Sequence, residues 1–143
     1  MNKQLNVGFL TTFSGRWPQE VPSQRNKEYG DWLEANLPEL NIIRADVMGS
    51  GLKENEAIVS QFKAAEADVI VMVYGAFTGD DVASYLTEML NIPILLWAPY
   101  EVPFEKDDRL YSNALCSMTM NSAALRKVGV KCHTVYGSKE DER

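Results

Sequence analysis

The sequence has few of the residues that most metal centres and nucleophilic active sites require. Its 143 residues include a single histidine, His133, and two cysteines. A metal site normally uses three or more ligands, and a serine or cysteine triad needs a histidine as its base. His133 lies inside a predicted strand, so we expect neither catalytic residues nor metal ligands within this chain.

The sequence also has no long hydrophobic run and no basic band. No apolar run approaches the roughly 20 residues of a membrane-spanning helix, and the first residues lack the apolar region of a signal peptide. The net charge is −6, and the lysines and arginines are scattered, which disfavours binding to a phosphate backbone. We therefore expect a soluble, cytoplasmic protein that binds neither membranes nor nucleic acid, with Cys116 and Cys132 as free thiols.

Nucleotide-binding motifs are absent as well. The segment Gly49-Ser50-Gly51 has no third glycine and follows the second predicted strand, so it indicates a turn before a helix and not a dinucleotide fingerprint. No Walker-type glycine-lysine-serine motif occurs. The acidic pair Asp80-Asp81 stands at a predicted helix start, where carboxylates cap amides and complement the helix dipole.

What the sequence does contain is a regular alternation of strands and helices. Apolar runs predict strands over residues 6–10, 41–47 and 69–74, from residue 94, and over 131–136. Helical spacing predicts helices from 23 to 37, around 58–65, from 79 to 90 and over 113–128. This order indicates one α/β domain over residues 1–143, with a doubly wound, flavodoxin/Rossmann-like, five-stranded parallel sheet in the order 2-1-3-4-5 and helices on both faces.

The last residues carry a helix-start signal. Ser138-Lys139-Glu140-Asp141 has the serine and acidic residues of a capping box. We interpret it as the beginning of a further helix in a longer chain, of which these residues form an N-terminal piece. The alternative is a frayed acidic tail.

Candidate ligand-binding residues follow the first, third and fourth strands, whose carboxyl ends meet at one edge of such a sheet. Hydroxyls, one arginine and several aromatic rings suit a small polyhydroxylated ligand. Trp97 ends a buried strand, and we expect it in the core. The predicted binding residues are Thr12, Arg16, Trp17, Tyr74, Phe77, Tyr100 and Glu101.

A second interpretation stays open at this point. A free-standing, flavodoxin-like module that binds flavin or another small ligand would use a hydroxyl-rich phosphate loop after the first strand. The segment Thr11-Thr12-Phe13-Ser14-Gly15 loosely matches such a loop. A phosphorylated receiver domain is disfavoured, because its clustered carboxylates are missing after the first and third strands.

The order and spacing of several short motifs resemble the N-terminal domain of the L-fucose isomerase family, which is related more distantly to L-arabinose isomerase. The resemblance spans essentially the whole chain. The motifs are Val7-Gly8-Phe9, Ser14-Gly15-Arg16, Tyr74-Gly75, the segment 93–97, Asn113-Ala114-Leu115-Cys116, Gly129-Val130 and Val135-Tyr136-Gly137.

This resemblance implies a role in carbohydrate metabolism, as part of an aldose–ketose isomerase that usually depends on Mn²⁺. The metal ligands would come from later domains, so this chain would hold no cofactor itself. It would help to shape the sugar pocket, commonly that of a neighbouring subunit in a homo-oligomer. Arg16 would bind sugar hydroxyls, Trp17 would provide a face or lid, and the Tyr74 loop would form another wall.

Overall fold

The computed structural model describes residues 4–102 and 112–141. Within them, five strands alternate with four helices. In chain order these are β1 (Leu5–Thr12), α1 (Glu20–Asn36), β2 (Leu40–Arg44), α2 (Leu52–Ala64), β3 (Val69–Tyr74), α3 (Asp81–Leu90), β4 (Ile94–Ala98), α4 (Ala114–Lys127) and β5 (Cys132–Tyr136). No helix in these two ranges is long and apolar enough to cross a bilayer.

The strands form one sheet in which every neighbouring pair is parallel, in the order β2-β1-β3-β4-β5. The predicted fold class and strand order are therefore confirmed. In a parallel sheet all carboxyl ends lie on one edge, so the loops after β1, β3 and β4 are neighbours there. We call this edge the rim.

One face of the sheet, the covered face, carries α2, α3 and α4. Its strand residues Leu10, Ile70, Met72 and Leu96 are fully buried against those helices. Phe62 of α2 packs flat on β1, where a Cβ atom on Gly8 would lie only 2.7 Å from the Phe62 ring. Close packing of this kind makes the covered face the main hydrophobic core.

On the opposite face, the open face, the described residues place one helix, α1. Tyr29 and Leu33 of α1 pack against Phe9, Val73 and Trp97. The Trp97 ring meets Tyr29 edge-on at 4.9 Å between centroids, and its indole Nε1 donates to the Gly137 carbonyl at 2.9 Å. Trp97 is thus a core residue, as predicted.

Several element boundaries differ from the prediction, and α2 begins at Leu52, well before its predicted apolar positions. β1 runs two residues further, to Thr12, because β3 pairs with it to its end, at Tyr74. β2 ends at Arg44 and not at residue 47. Among the described strands it lies at the edge of the sheet and pairs with β1, which stops pairing with it at Phe9. α1 begins before its proline, which the first turn of a helix tolerates. Both cysteines are free thiols, as expected.

Candidate functional site

A buried arginine holds the rim together. Arg25 of α1 donates hydrogen bonds to the carbonyl oxygens of Tyr74 at 3.0 Å, Gly75 at 3.1 Å and Tyr100 at 2.8 Å. Its side chain therefore ties the loop after β3 to the loop after β4. Burial lowers the pKa of Arg25, and the nearby negative charge of Glu101 partly opposes that shift. The guanidinium fork suits this role because it presents several donors at fixed geometry.

The close approach of these loops also depends on a glycine. A Cβ atom on Gly75 would lie 2.2 Å from the carbonyl oxygen of Thr12 and 2.7 Å from the side chain of Pro22. Any side chain here would push the end of β1 and the start of α1 away from the loop after β3. Gly75 thus allows two loops that form a cavity at the rim to converge.

This cavity, the rim cleft, lies between the loop after β1 and the loop after β3 and has a volume of about 870 Å³. Such a size is typical of small-molecule sites. The Trp17 and Phe77 rings lie 6.4 Å apart at an angle of 39°, and both are half-buried. The lining residues are Ser14, Arg16, Trp17, Pro18, Phe77, Gly79 and Asp81.

The turn before α1 positions the tryptophan. The Trp17 amide donates to the Ser14 carbonyl at 3.0 Å, which closes the turn containing Gly15 and Arg16. Arg16 is exposed, and Asp81, at the first turn of α3, is exposed as well. The rim cleft therefore combines two aromatic faces with one positive and one negative side chain.

Two predicted site residues lie beneath the rim. Thr12 and Tyr74 are both fully buried. The Thr12 hydroxyl accepts a hydrogen bond from Thr78 at 2.9 Å, and the Tyr74 hydroxyl donates to Asn121 Oδ1 at 2.8 Å. Because both are satisfied inside the protein, they support the loops and do not line the surface that a ligand would touch. Thr11 is fully buried too, so these hydroxyls do not form an exposed phosphate loop.

The other two predicted residues lie at the β4 and β5 end of the rim. Tyr100 is 49% exposed, and its ring packs edge-on against Tyr136, with 5.2 Å between centroids. Glu101 accepts a hydrogen bond from the Leu115 amide at 3.1 Å and another from the Ser112 hydroxyl. Its carboxylate thus caps the start of α4, where it also complements the helix dipole. The structure brings Arg16, Trp17 and Phe77 together but leaves Tyr100 and Glu101 outside the rim cleft.

Sequence reasoning missed two residues of this region. Arg25 precedes Tyr29 by four positions and Leu33 by eight, so the helical period already places it on the buried stripe of α1. That spacing was the available signal. The sequence predicts that Asp80-Asp81 caps α3 and complements its dipole. Asp80, the N-cap residue, makes no side-chain capping hydrogen bond, while Asp81 lies in the first turn, where a negative charge complements the dipole. Asp81 also lines the rim cleft, which its position in a helix start does not reveal.

The rim cleft does not have the donors of a metal centre. Within residues 4–102 and 112–141, no group of three or more His, Cys, Asp or Glu side chains is placed to hold an ion. Asp81 is the only carboxylate among the cleft residues. One carboxylate beside a guanidinium does not fit a divalent cation, which prefers six or more oxygen ligands.

A model of one protein family matches residues 10–142, and its description is "Fucose/sulfoquinovose isomerase, N-terminal domain". No curated protein matches the chain significantly. Among solved structures, the chain is similar to the lac repressor dimer bound to operator and the anti-inducer ONPF, with 12% identity and a TM-score of 0.45. The similarity covers 95% of this chain and 48% of that one, so this chain spans about half the length of that protein.

Proposed function

Because the chain belongs to the family of fucose/sulfoquinovose isomerase N-terminal domains, we propose that it is the sugar-recognition domain of an aldose–ketose isomerase. The observation that carries the proposal is the rim cleft, where Arg16 and Asp81 stand beside the rings of Trp17 and Phe77. The catalytic residues and a divalent ion, expected to be Mn²⁺, would be contributed by other domains of a longer chain.

The cleft residues supply the contacts that a sugar needs. The C–H faces of a sugar ring pack on aromatic side chains. The Arg16 guanidinium donates hydrogen bonds to hydroxyl oxygens, and the Asp81 carboxylate accepts them from hydroxyl protons. Both polar side chains are exposed, so they can turn towards a ligand without breaking a buried contact.

The charges of the rim cleft favour a neutral sugar over an anionic one. Arg16 and Asp81 are the charged residues of its lining and have opposite signs. A sulfonated sugar would gain from Arg16 but would be repelled by Asp81, whereas a deoxyhexose or pentose experiences neither effect. We therefore propose a neutral aldose as the ligand of this domain.

The chemistry of the reaction indicates which functions this chain and the other domains would each supply. Aldose–ketose isomerisation moves a proton between adjacent carbons, which calls for a positioned base and for stabilisation of developing negative charge. In our proposal this chain orients the sugar and excludes water from one side, while later domains and neighbouring subunits of a homo-oligomer provide the base.

The test compares Arg16→Ala with Arg126→Ala in the full-length enzyme. Arg126 is an exposed arginine near the end of α4, far along the chain from the cleft loops, and serves as the matched control. We expect kcat/KM to fall about 10- to 100-fold for Arg16→Ala, because about 1.4 kcal/mol of lost binding corresponds to a factor of ten. Thermal stability and the control should not change.

Two outcomes would count against the proposal. An unchanged kcat/KM in Arg16→Ala would remove Arg16 from the site. A loss of activity accompanied by a matching loss of thermal stability would make Arg16 structural.

A titration of the wild-type domain then identifies the sugar class. The ligands are pentoses, deoxyhexoses, their polyols and a sulfonated hexose, and binding is monitored by amide chemical shifts. We expect the neutral sugars to shift the amides of residues 14–17 and 77–81.

A further inference from the structure

The loop after β3 presents one aromatic ring to the rim cleft, while the residues on either side of that ring are buried. Ala76 and Thr78 both lie in the interior, whereas Phe77 between them is half-buried and lines the cleft. The direction of the Phe77 ring therefore depends on how firmly its two neighbours are held. The ring forms a wall of the cleft only while the backbone at Thr78 stays in place.

Thr78 is held by hydrogen bonds to two other elements. Its hydroxyl donates to the Thr12 hydroxyl of β1 at 2.9 Å, and its amide donates to the Ser117 hydroxyl of α4 at 2.7 Å. Both bonds are buried, where the low dielectric strengthens them. A buried amide without an acceptor would destabilise this conformation of the loop. The Ser117 oxygen therefore fixes the backbone next to Phe77.

Ser117 differs from the other hydroxyl residues of α4. Thr119 and Ser122 donate to carbonyl oxygens of their own helix, at 2.8 and 3.1 Å. Bonds of that kind are local and constrain no loop. Ser117 is fully buried and accepts its hydrogen bond from the loop after β3 instead. Because a buried hydroxyl is unfavourable unless it is bonded, the Thr78 amide explains why a serine is tolerated at this position of the core.

The helix that carries Ser117 is itself held in place near the rim. Its first turn is fixed by the Glu101 carboxylate, which accepts from the Leu115 amide at 3.1 Å. Four residues after Ser117, Asn121 accepts from the Tyr74 hydroxyl of β3 at 2.8 Å. Residues four apart lie on the same face of a helix. One face of α4 therefore holds both the end of β3 and the loop that follows it.

We propose that Ser117 is a positioning residue of the rim cleft, because its bond to the Thr78 amide holds the Phe77 ring in place before a sugar binds. Where it concerns sugar affinity, this inference rests on the proposed function. A site that is correctly formed for only a fraction of the time binds its ligand more weakly by that same fraction. Ser117 thus raises the affinity of the cleft through Phe77 and touches no sugar itself.

The first test measures the loop in the absence of sugar. Amide hydrogen exchange of the full-length protein is compared between Ser117→Ala and Ser122→Ala, which are identical substitutions in the same helix. We expect the segment 75–79 to exchange about 10-fold faster than in the wild type in Ser117→Ala, because the Thr78 amide loses its acceptor and the loop opens more often. The segment should be unchanged in Ser122→Ala. Equal exchange in the two variants would overturn the proposal.

The second test measures the reaction of the full-length enzyme. We expect Ser117→Ala to raise KM about 5-fold and to leave kcat unchanged, because a displaced wall weakens the binding of substrate and transition state equally. Thr87→Ala removes a buried hydroxyl that bonds within α3, so it controls for lost stability and should leave KM unchanged. The proposal is wrong if KM stays constant in Ser117→Ala or rises as much in Thr87→Ala.

A double-mutant cycle determines whether Ser117 acts through Phe77. In a Phe77→Ala background, Ser117→Ala should raise KM no further, since the ring that it positions is gone. Additive increases in KM would mean that Ser117 acts on another part of the protein, which would overturn the proposal. If Phe77→Ala itself leaves KM unchanged while Ser117→Ala still speeds the exchange of the segment 75–79, the proposed function alone is refuted.

Discussion

The two faces of the sheet differ although the same strands form both. On the covered face, Ile70 and Met72 of β3 are fully buried under three helices. On the open face, Val69 and Val71 of the same strand are only half-buried, because α1 is the one helix that the described part of the chain places there. A run of apolar residues therefore predicts that a strand is covered on both sides, and the structure shows which side the described residues cover more completely.

The largest loss of stability is expected from a substitution on the covered face. Phe62→Ala should lower the free energy of unfolding by about 3–5 kcal/mol, because it leaves a cavity over Gly8 in a closely packed core. Leu95→Ala in the 143-residue chain is the matched substitution on the open face and should cost about 1 kcal/mol, since its side chain is already half-solvated. Urea unfolding of both variants measures the difference, and equal losses would contradict the contrast between the faces.

The second prediction concerns the contribution of Arg25, the buried arginine of α1, to the free energy of unfolding. Arg25→Met should cost about 3 kcal/mol, because it leaves three carbonyl oxygens near the rim without their donor. Arg25→Lys should recover only part of this loss, since an ammonium cannot reproduce the spacing of the guanidinium fork. The measurement is again urea unfolding. A cost below that of Leu95→Ala would show that the rim loops do not depend on Arg25.

The smallest expected change in stability comes from the ionisation of Tyr74 at alkaline pH. Burial raises its pKa in the folded protein above the ordinary value of about 10 that the unfolded chain retains. The contribution of the neutral phenol to stability is therefore complete below pH 10 and is lost as the pH rises above it. Tyr74→Phe lacks this dependence but loses the hydrogen bond to Asn121, which costs about 1 kcal/mol at neutral pH.

Thermal unfolding of wild type and Tyr74→Phe between pH 7 and 11 tests this prediction. The stability difference between the two proteins should be constant up to about pH 9 and should shrink above pH 10. A difference that stays constant to pH 11 would mean that Tyr74 ionises without leaving the core. Other tyrosines, such as the half-buried or exposed ones, contribute equally to both proteins and cancel.

The fold could be predicted because each element has its own local signal. The uninterrupted apolar run of β3 gave its bounds, Val69–Tyr74, without error. The end of β1 was placed two residues early, because threonines after an apolar run are typical of loops as well as of strands. The two threonines belong to the strand because they pair with β3. The sequence of one segment does not reveal which residues of another segment it pairs with.

The site was less predictable, because a rim position does not fix the direction of a side chain. Tyr74 and Phe77 lie three residues apart after the same strand. The Tyr74 side chain points into the core to reach Asn121, whereas Phe77 reaches Trp17 in the rim cleft. The location of Arg16 and Trp17 at the surface of the rim was easier to predict, because an arginine and a tryptophan beside a proline in a long loop have little reason to be buried.

The positions of the tryptophans give the domain two separate optical reporters. Of its three indoles, Trp17 lines the rim cleft. Trp32 and Trp97 line a groove on the open face beside α1, with 5.9 Å between their ring centroids. Replacing Trp17 by phenylalanine leaves an emission spectrum that responds only to the groove. Replacing the other two leaves a spectrum that responds only to the cleft. The emission wavelength of the remaining tryptophans therefore reports occupancy of each surface in solution.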